Sequence, residues 1–148
     1  MGEIKDPQII SGLPQSLYDT TIGTQGKTEK NFLERYLLLG TDLLERAPLH
    51  IAIHLIKDLD EPPPPYAQIH CHPDCDEIGL VAATKDELEY EIILNGKEHR
   101  VKSPATVYIP AGTYHRARAV YGKGVYVCIL LDPRGPAASN VHLSEQTS

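Results

Sequence analysis

The stretch His70-Cys71-His72-Pro73-Asp74-Cys75-Asp76-Glu77 decides how this chain is read. With the preceding Tyr66-Ala67-Gln68-Ile69 it alternates in the manner of a β-strand. Gln68, His70 and His72 then share one face, and Ile69 and Cys71 the other. Two imidazoles at i and i+2 on a strand can meet one cation at ~2 Å each. Pro73 ends the strand, and a short turn returns Glu77 on the next, where its carboxylate can close the same site. Two other readings stay open. Cys71 and Cys75 can join a Cys/His zinc site, although alternation aims Cys71 away from the histidine pair. Asp76 replaces Glu77 if the turn is one residue shorter.

Towards the C-terminus, Pro110-Ala111-Gly112-Thr113-Tyr114-His115 reads as a tight turn whose last residue starts a new strand and brings a third imidazole from across the fold. Between the two segments, residues 77–83 read as a strand, and residues 88–101 as a hairpin turning at Asn95-Gly96, the preferred pair for a type I′ turn. Thr106–Ile109, Tyr114–Val120 and Gly124–Leu131 read as short strands, with Gly112, Gly122 and Gly124 as punctuation. On the N-terminal side, Glu61 and the run Pro62–Pro65 form a rigid connector that cannot pair as a central strand. Before it, residues 49–59 read as a strand. Residues 30–46 mix helical and extended signals and are read as a short helix or a strand. Residues 1–29 are read as loop with a short edge strand near Gln8–Ile10, and residues 132–148 as a tail. Many short strands at this spacing predict an all-β fold, closed or double-sheeted, because closure removes unpaired strand edges.

Taken together, HxHx4E followed by PxGxxH resembles the two motifs of the cupin superfamily, over about residues 48–131. The stretch HCHPDCDEIGLV is similar to the corresponding stretch of germins. The resemblance implies a jelly-roll barrel, the double-stranded β-helix, at 46–133, with an N-terminal extension at 1–45 and a C-terminal tail at 134–148. It also implies a divalent metal held by His70, His72, Glu77 and His115. The germin-like stretch adds manganese oxalate oxidase and superoxide dismutase to the activities implied. Small barrels of this family commonly form homodimers, which is the expectation here. Four positions depart from the pattern: Pro64, Thr84 and Pro104 stand where glycines are expected, and Ala119 where the closing Asn is expected. These positions shape turns, so their loss bears on loop geometry and leaves all four ligand types in place.

Other polar residues carry weaker signals. His50 and His54 share a face of the 49–59 strand and are read as partly buried structural histidines near the barrel mouth. His99 is read as solvated, and His142 lies in the tail. Arg116 and Arg118 alternate with Ala117 and Ala119, which sends them outward, to solvent or a subunit interface. Gln68, on the face of the histidine pair, and Tyr114 are the candidate catalytic or substrate-contacting residues. Tyr66, Tyr108 and Tyr114 either line the cavity or pack in the core.

Composition sets the outer bounds. The chain has 148 residues, of one-domain length, and 41% of them are hydrophobic, enough for a real core. Its formal charge of -6, from 14 basic and 20 acidic residues without a basic run, argues against nucleic acid or an anionic membrane as partner. The odd count of three Cys does not predict a disulfide framework, and no secretory or spanning apolar run occurs, so a cytoplasmic protein is expected. Three imidazoles and one carboxylate suit a single Fe, Mn, Ni, Co or Zn ion and lack the oxygens for calcium. Four protein ligands leave two positions of an octahedron open to a small-molecule substrate. The expectation is a metal-dependent enzyme acting on a small oxygenated organic substrate. Its chemistry is either that of a dioxygenase or oxidase, or that of an isomerase, lyase or cyclase. A non-catalytic metal- or ligand-sensing module is the alternative.

Overall fold

The computed structural model describes residues 6–16, 32–132 and 141–144. Among the described residues there are ten strands and no helix: β1 (Leu13–Gln15), β2 (Leu33–Leu39), β3 (His50–Leu59), β4 (His70–Cys71), β5 (Asp76–Ala82), β6 (Leu88–Leu94), β7 (Lys97–Lys102), β8 (Ala105–Ile109), β9 (His115–Leu131) and β10 (His142–Leu143). Every pairing is antiparallel. None of the described residues forms a helix long and apolar enough to cross a membrane.

The 17-residue strand β9 organises the architecture. Its first half pairs β6 on one side and β4 on the other, with β7 and β10 beyond them. Its second half pairs β3 and β5, with β2, β1 and β8 beyond. The register of β9 slips at Glu89/Tyr90 and again at Ile56/Leu59, so the strand bends as it leaves one layer and enters the other. The layers face each other. Leu88, Tyr90, Ile92 and Ala119 from one join Leu33, Ile56, Val81 and Tyr126 from the other in a single buried cluster. Tyr90 and Tyr126 stack across the gap, with ring centroids 4.5 Å apart and planes at 15°. Burying a side chain such as Leu88, fully enclosed here, contributes about 1.5–3 kcal/mol. This is an all-β jelly-roll barrel.

Several local expectations change. The two strands expected at Tyr114–Val120 and Gly124–Leu131 are one continuous strand starting at His115, because Gly122 and Gly124 take positive φ at the bend and do not end the pairing. The edge strand lies at Leu13–Gln15 instead of Gln8–Ile10, set by pairing with Tyr36 and its neighbours. Of residues 30–46, the described ones, 32–46, form strand β2 and a turn. The 66–72 segment is extended, yet only His70–Cys71 is paired as strand. In the tail, His142 pairs through its backbone with Cys71. The hairpin is as read: Asn95 and Gly96 have φ of 47° and 83°, both positive as type I′ requires.

Candidate metal centre

Strand β4 and the start of β9 are neighbours, with His70 directly opposite His115. Their rings face the barrel interior with centroids 4.3 Å apart. His72 follows β4 by one residue and turns its ring to the same side, 5.1 Å from His70 and 5.8 Å from His115. Glu77 enters from β5, whose odd-numbered residues Glu77, Gly79 and Val81 are buried towards the interior. Its Oε1 lies 3.2 Å from His115 Nε2 and 3.3 Å from His72 Nε2. All four side chains are buried, at 3–7% exposure. Their ligand atoms lie within 4.8 Å of one another.

The ring orientations are fixed from behind. His70 Nδ1 donates to the Gln68 carbonyl at 2.9 Å and His115 Nδ1 to the Thr113 carbonyl at 2.8 Å, which turns each Nε2 into the cluster. The Gly112 N–H donates to the His72 carbonyl at 2.9 Å, tying the second motif to the first. Asp76 accepts from the Ala111 N–H at 2.8 Å and from the Tyr108 hydroxyl, bracing the same turn.

Burial raises the Glu77 carboxyl, but hydrogen bonds from His115 and His72 outweigh it and hold the group well below the usual carboxylate range. Burial and the neighbouring His115 lower His70 to about 4. For His115 burial acts downward, and the hydrogen bond to Glu77 reverses it, so its pKa is raised. Without a metal, Glu77 is satisfied by protons that His115 and His72 share with it; a divalent ion would displace those protons and take the same atoms as donors. Ligand atoms each ~2.1 Å from one ion stand roughly 3–4.2 Å apart, so small rotations close this cluster onto a divalent ion. The residues present therefore fit a divalent metal.

The alternatives read from the sequence separate here. Among the described residues the cluster contains no cysteine: Cys71 is buried on the other side of β4, and Cys75 packs with Leu130 and Cys128. Asp76 braces the turn and stays outside the cluster. Tyr66 is core, its hydroxyl accepting from the Ala119 N–H at 2.7 Å, while Tyr108 is exposed. Arg116 and Arg118 lie on the face opposite His115 as read, but they are largely shielded from solvent. Both pair with Glu91, and Arg118 also donates to the Pro63 carbonyl. Gln68 contributes its main-chain carbonyl to His70, and the backbone of half-buried Tyr114 donates to Asn95 Oδ1 and accepts from the Asn95 N–H. His99 is half-buried on β7, away from the cluster.

Sequence reasoning missed Arg35. It sits on β2 between Leu33 and Leu37, both buried, on the inward row, opposite His54. Its Nη1 donates to His54 Nε2 at 2.7 Å and its Nε to Gln15 Oε1 at 3.1 Å. An arginine in an alternating apolar row was the available signal.

His54 carries a pH prediction. Burial, then the Arg35 charge, lowers its pKa from 6.5 to about 3. The unfolded chain takes up this proton first, so stability falls as pH drops below about 6.5 and keeps falling until the folded pKa is reached, by about 1.4 kcal/mol per pH unit from this group. Urea midpoints measured between pH 7.5 and 5 should show that slope reduced in His54→Gln. An unchanged slope would remove His54 from the account.

Similar solved structures include a predicted oxalate decarboxylase from Thermotoga maritima, with TM-score 0.56 and 16% identity, covering 84% of this chain and 98% of that one. The DMSP lyase DddQ from Ruegeria pomeroyi matches with TM-score 0.56 and 18% identity, over 93% of this chain and 64% of that one. A cupin-2 domain from Rhodospirillum rubrum matches over 98% of this chain and 81% of its own, with TM-score 0.53 and 11% identity. The fold is that of a cupin. No family sequence profile matches this chain, and no curated protein matches it by sequence. The cupin barrel places the four-residue cluster inside, between its two layers.

Proposed function

We propose that this cupin is a metal-dependent enzyme acting on a small oxygenated organic molecule, with His70, His72, Glu77 and His115 as ligands to one Fe, Mn, Ni, Co or Zn ion. The observation that carries it is the buried, pre-oriented cluster of three imidazoles and one ionised carboxylate. A divalent ion held there would supply Lewis-acid or one-electron chemistry at its open positions. The chain's own part is to keep His70 and His115 in the tautomer that presents Nε2, to keep Glu77 ionised, and to exclude bulk water from the site. Gln68 and Tyr114 are proposed as the substrate-side groups.

Dioxygenase or oxidase chemistry and lyase, isomerase or cyclase chemistry both fit the ligand set. The similar structures of a DMSP lyase and a predicted oxalate decarboxylase support the lyase side of that choice. Elemental analysis of protein purified without an affinity tag, followed by oxygen-electrode assays of the Fe and Mn forms against small carboxylates, diketones and catechols, separates them. About one equivalent of Fe or Mn with substrate-dependent oxygen uptake supports the oxygenase reading. One equivalent of any of the five metals without uptake supports the non-redox reading. A metal-free protein that takes up none of them would sink the proposal.

A further inference from the structure

Among the described residues, Arg35 is the one half-buried arginine on the inward row of strands, and its surroundings are unbalanced. Among the described residues, its hydrogen-bond partners, His54 and Gln15, are both neutral, and no carboxylate lies within ion-pair distance of it. Arg116 and Arg118, comparably shielded on the outer face, are both balanced by Glu91. A guanidinium taken out of water without a counter-ion is costly, and burial lowers the pKa of Arg35 in keeping with that cost.

The neighbours of Arg35 are donors as well. A guanidinium only donates, so His54 Nε2 accepts and the ring hydrogen is on Nδ1. That Nδ1 is buried without a hydrogen-bond partner, and so is the hydroxyl of Tyr126, which stands opposite His54 on β9. The two rings lie 6.3 Å apart. This donor-rich patch adjoins the metal cluster. The Tyr126 hydroxyl lies directly over Gly79, 2.1 Å from where a Cβ would stand, and Gly79 shares the buried row of β5 with Glu77. On β3, burial, then the charges of Arg35 and His72, lowers His50 to about 4.

We infer that Arg35, oriented by His54 and Gln15, is the seat for a carboxylate of the substrate, beside the metal cluster. This rests on the metal reading above and narrows its substrate class to small organic acids. The planar fork of the guanidinium matches a carboxylate, and the anion supplies the counter-charge that the fold omits. Two of the five N–H groups are taken by His54 and Gln15, which leaves three to donate to an anion.

The test uses protein reconstituted with one equivalent of Mn or Zn, titrated calorimetrically with malonate and with its neutral diamide. Wild type, Arg35→Gln and Arg35→Lys are compared, with metal content and thermal unfolding measured on the same samples. The expected result is at least a tenfold weaker malonate Kd in Arg35→Gln, a smaller loss in Arg35→Lys, an unchanged response to the diamide, and metal content near one equivalent throughout. Arg35→Lys keeps the charge, so it supplies the comparison if the Gln variant does not fold. Equal malonate affinity in wild type and in a folded, metal-loaded variant would overturn the inference, as would a metal-loaded wild type that binds no malonate. A wild type that takes up no metal would overturn the metal reading instead, and the same comparison on metal-free protein would then decide the role of Arg35.

Discussion

Replacing His115 by alanine is expected to strip the metal from this protein while leaving the barrel folded. His115 closes the cluster from the strand opposite His70, and its Nε2 is one of the two imidazole nitrogens that face Glu77. Its loss leaves two imidazoles and a carboxylate with a cavity in place of the third ring. Loss of one of four ligands is expected to weaken binding by several orders of magnitude, since structural sites of this kind hold ~10–16 kcal/mol over four ligands. Plasma mass spectrometry after dialysis should give about one equivalent for wild type and under about a tenth for His115→Ala. His70→Ala and His72→Ala should behave alike. His99→Ala and His142→Ala should retain full metal, since neither belongs to the cluster. Full occupancy in His115→Ala would mean that the ion sits elsewhere.

The second large effect falls on stability. Gly122 marks the bend where β9 passes from one layer to the other, with φ of +87°. A Cβ built there would lie 1.7 Å from the Glu87 carbonyl oxygen, a backbone atom held in place by the paired end of β6. Gly122→Ala must therefore displace main chain and also adopt a left-handed conformation. The expected cost is about 4 kcal/mol, at the upper end of single substitutions, which lowers Tm on the order of 10 °C for a chain of this size. Gly96→Ala is the control. It has a similar φ of +83° but nothing within 4 Å of the new Cβ, so only the conformational penalty of about 1–2 kcal/mol applies. Equal losses in the two variants, measured by thermal and urea unfolding, would show that the Glu87 contact does not constrain the bend.

The metal cluster was legible because its signal is local. His70 and His72 follow strand alternation, and Glu77 and His115 lie at short distances from turn residues that announce themselves. The fold class was legible for the same reason, from turn signals between short apolar runs. What was not legible depends on pairing partners far along the chain. Gly122 and Gly124 look like strand ends in sequence. In the structure they allow one strand to serve two layers, a role that only the positions of β3 and β6 reveal. The place of β1 is set by β2, some twenty residues later. Arg35 drew no notice because residues 30–46 carried mixed helical and extended signals. Once β2 is a strand, an arginine between Leu33 and Leu37 on the inward row stands out. Arg116 and Arg118 pointed the right way by alternation, but their burial comes from Glu91 and the proline connector, which no local pattern joins to them.

The central claim is that one divalent ion sits among four named side chains. A crystal of protein purified without an affinity tag, with data collected at and below the absorption edge of the metal found by elemental analysis, tests it most directly. The account predicts one anomalous peak inside the barrel, about 2.0–2.3 Å from an imidazole nitrogen of His70, His72 and His115 and from a carboxylate oxygen of Glu77. A peak at Cys71 and Cys75, or a full equivalent of metal with no peak at these four residues, would contradict it.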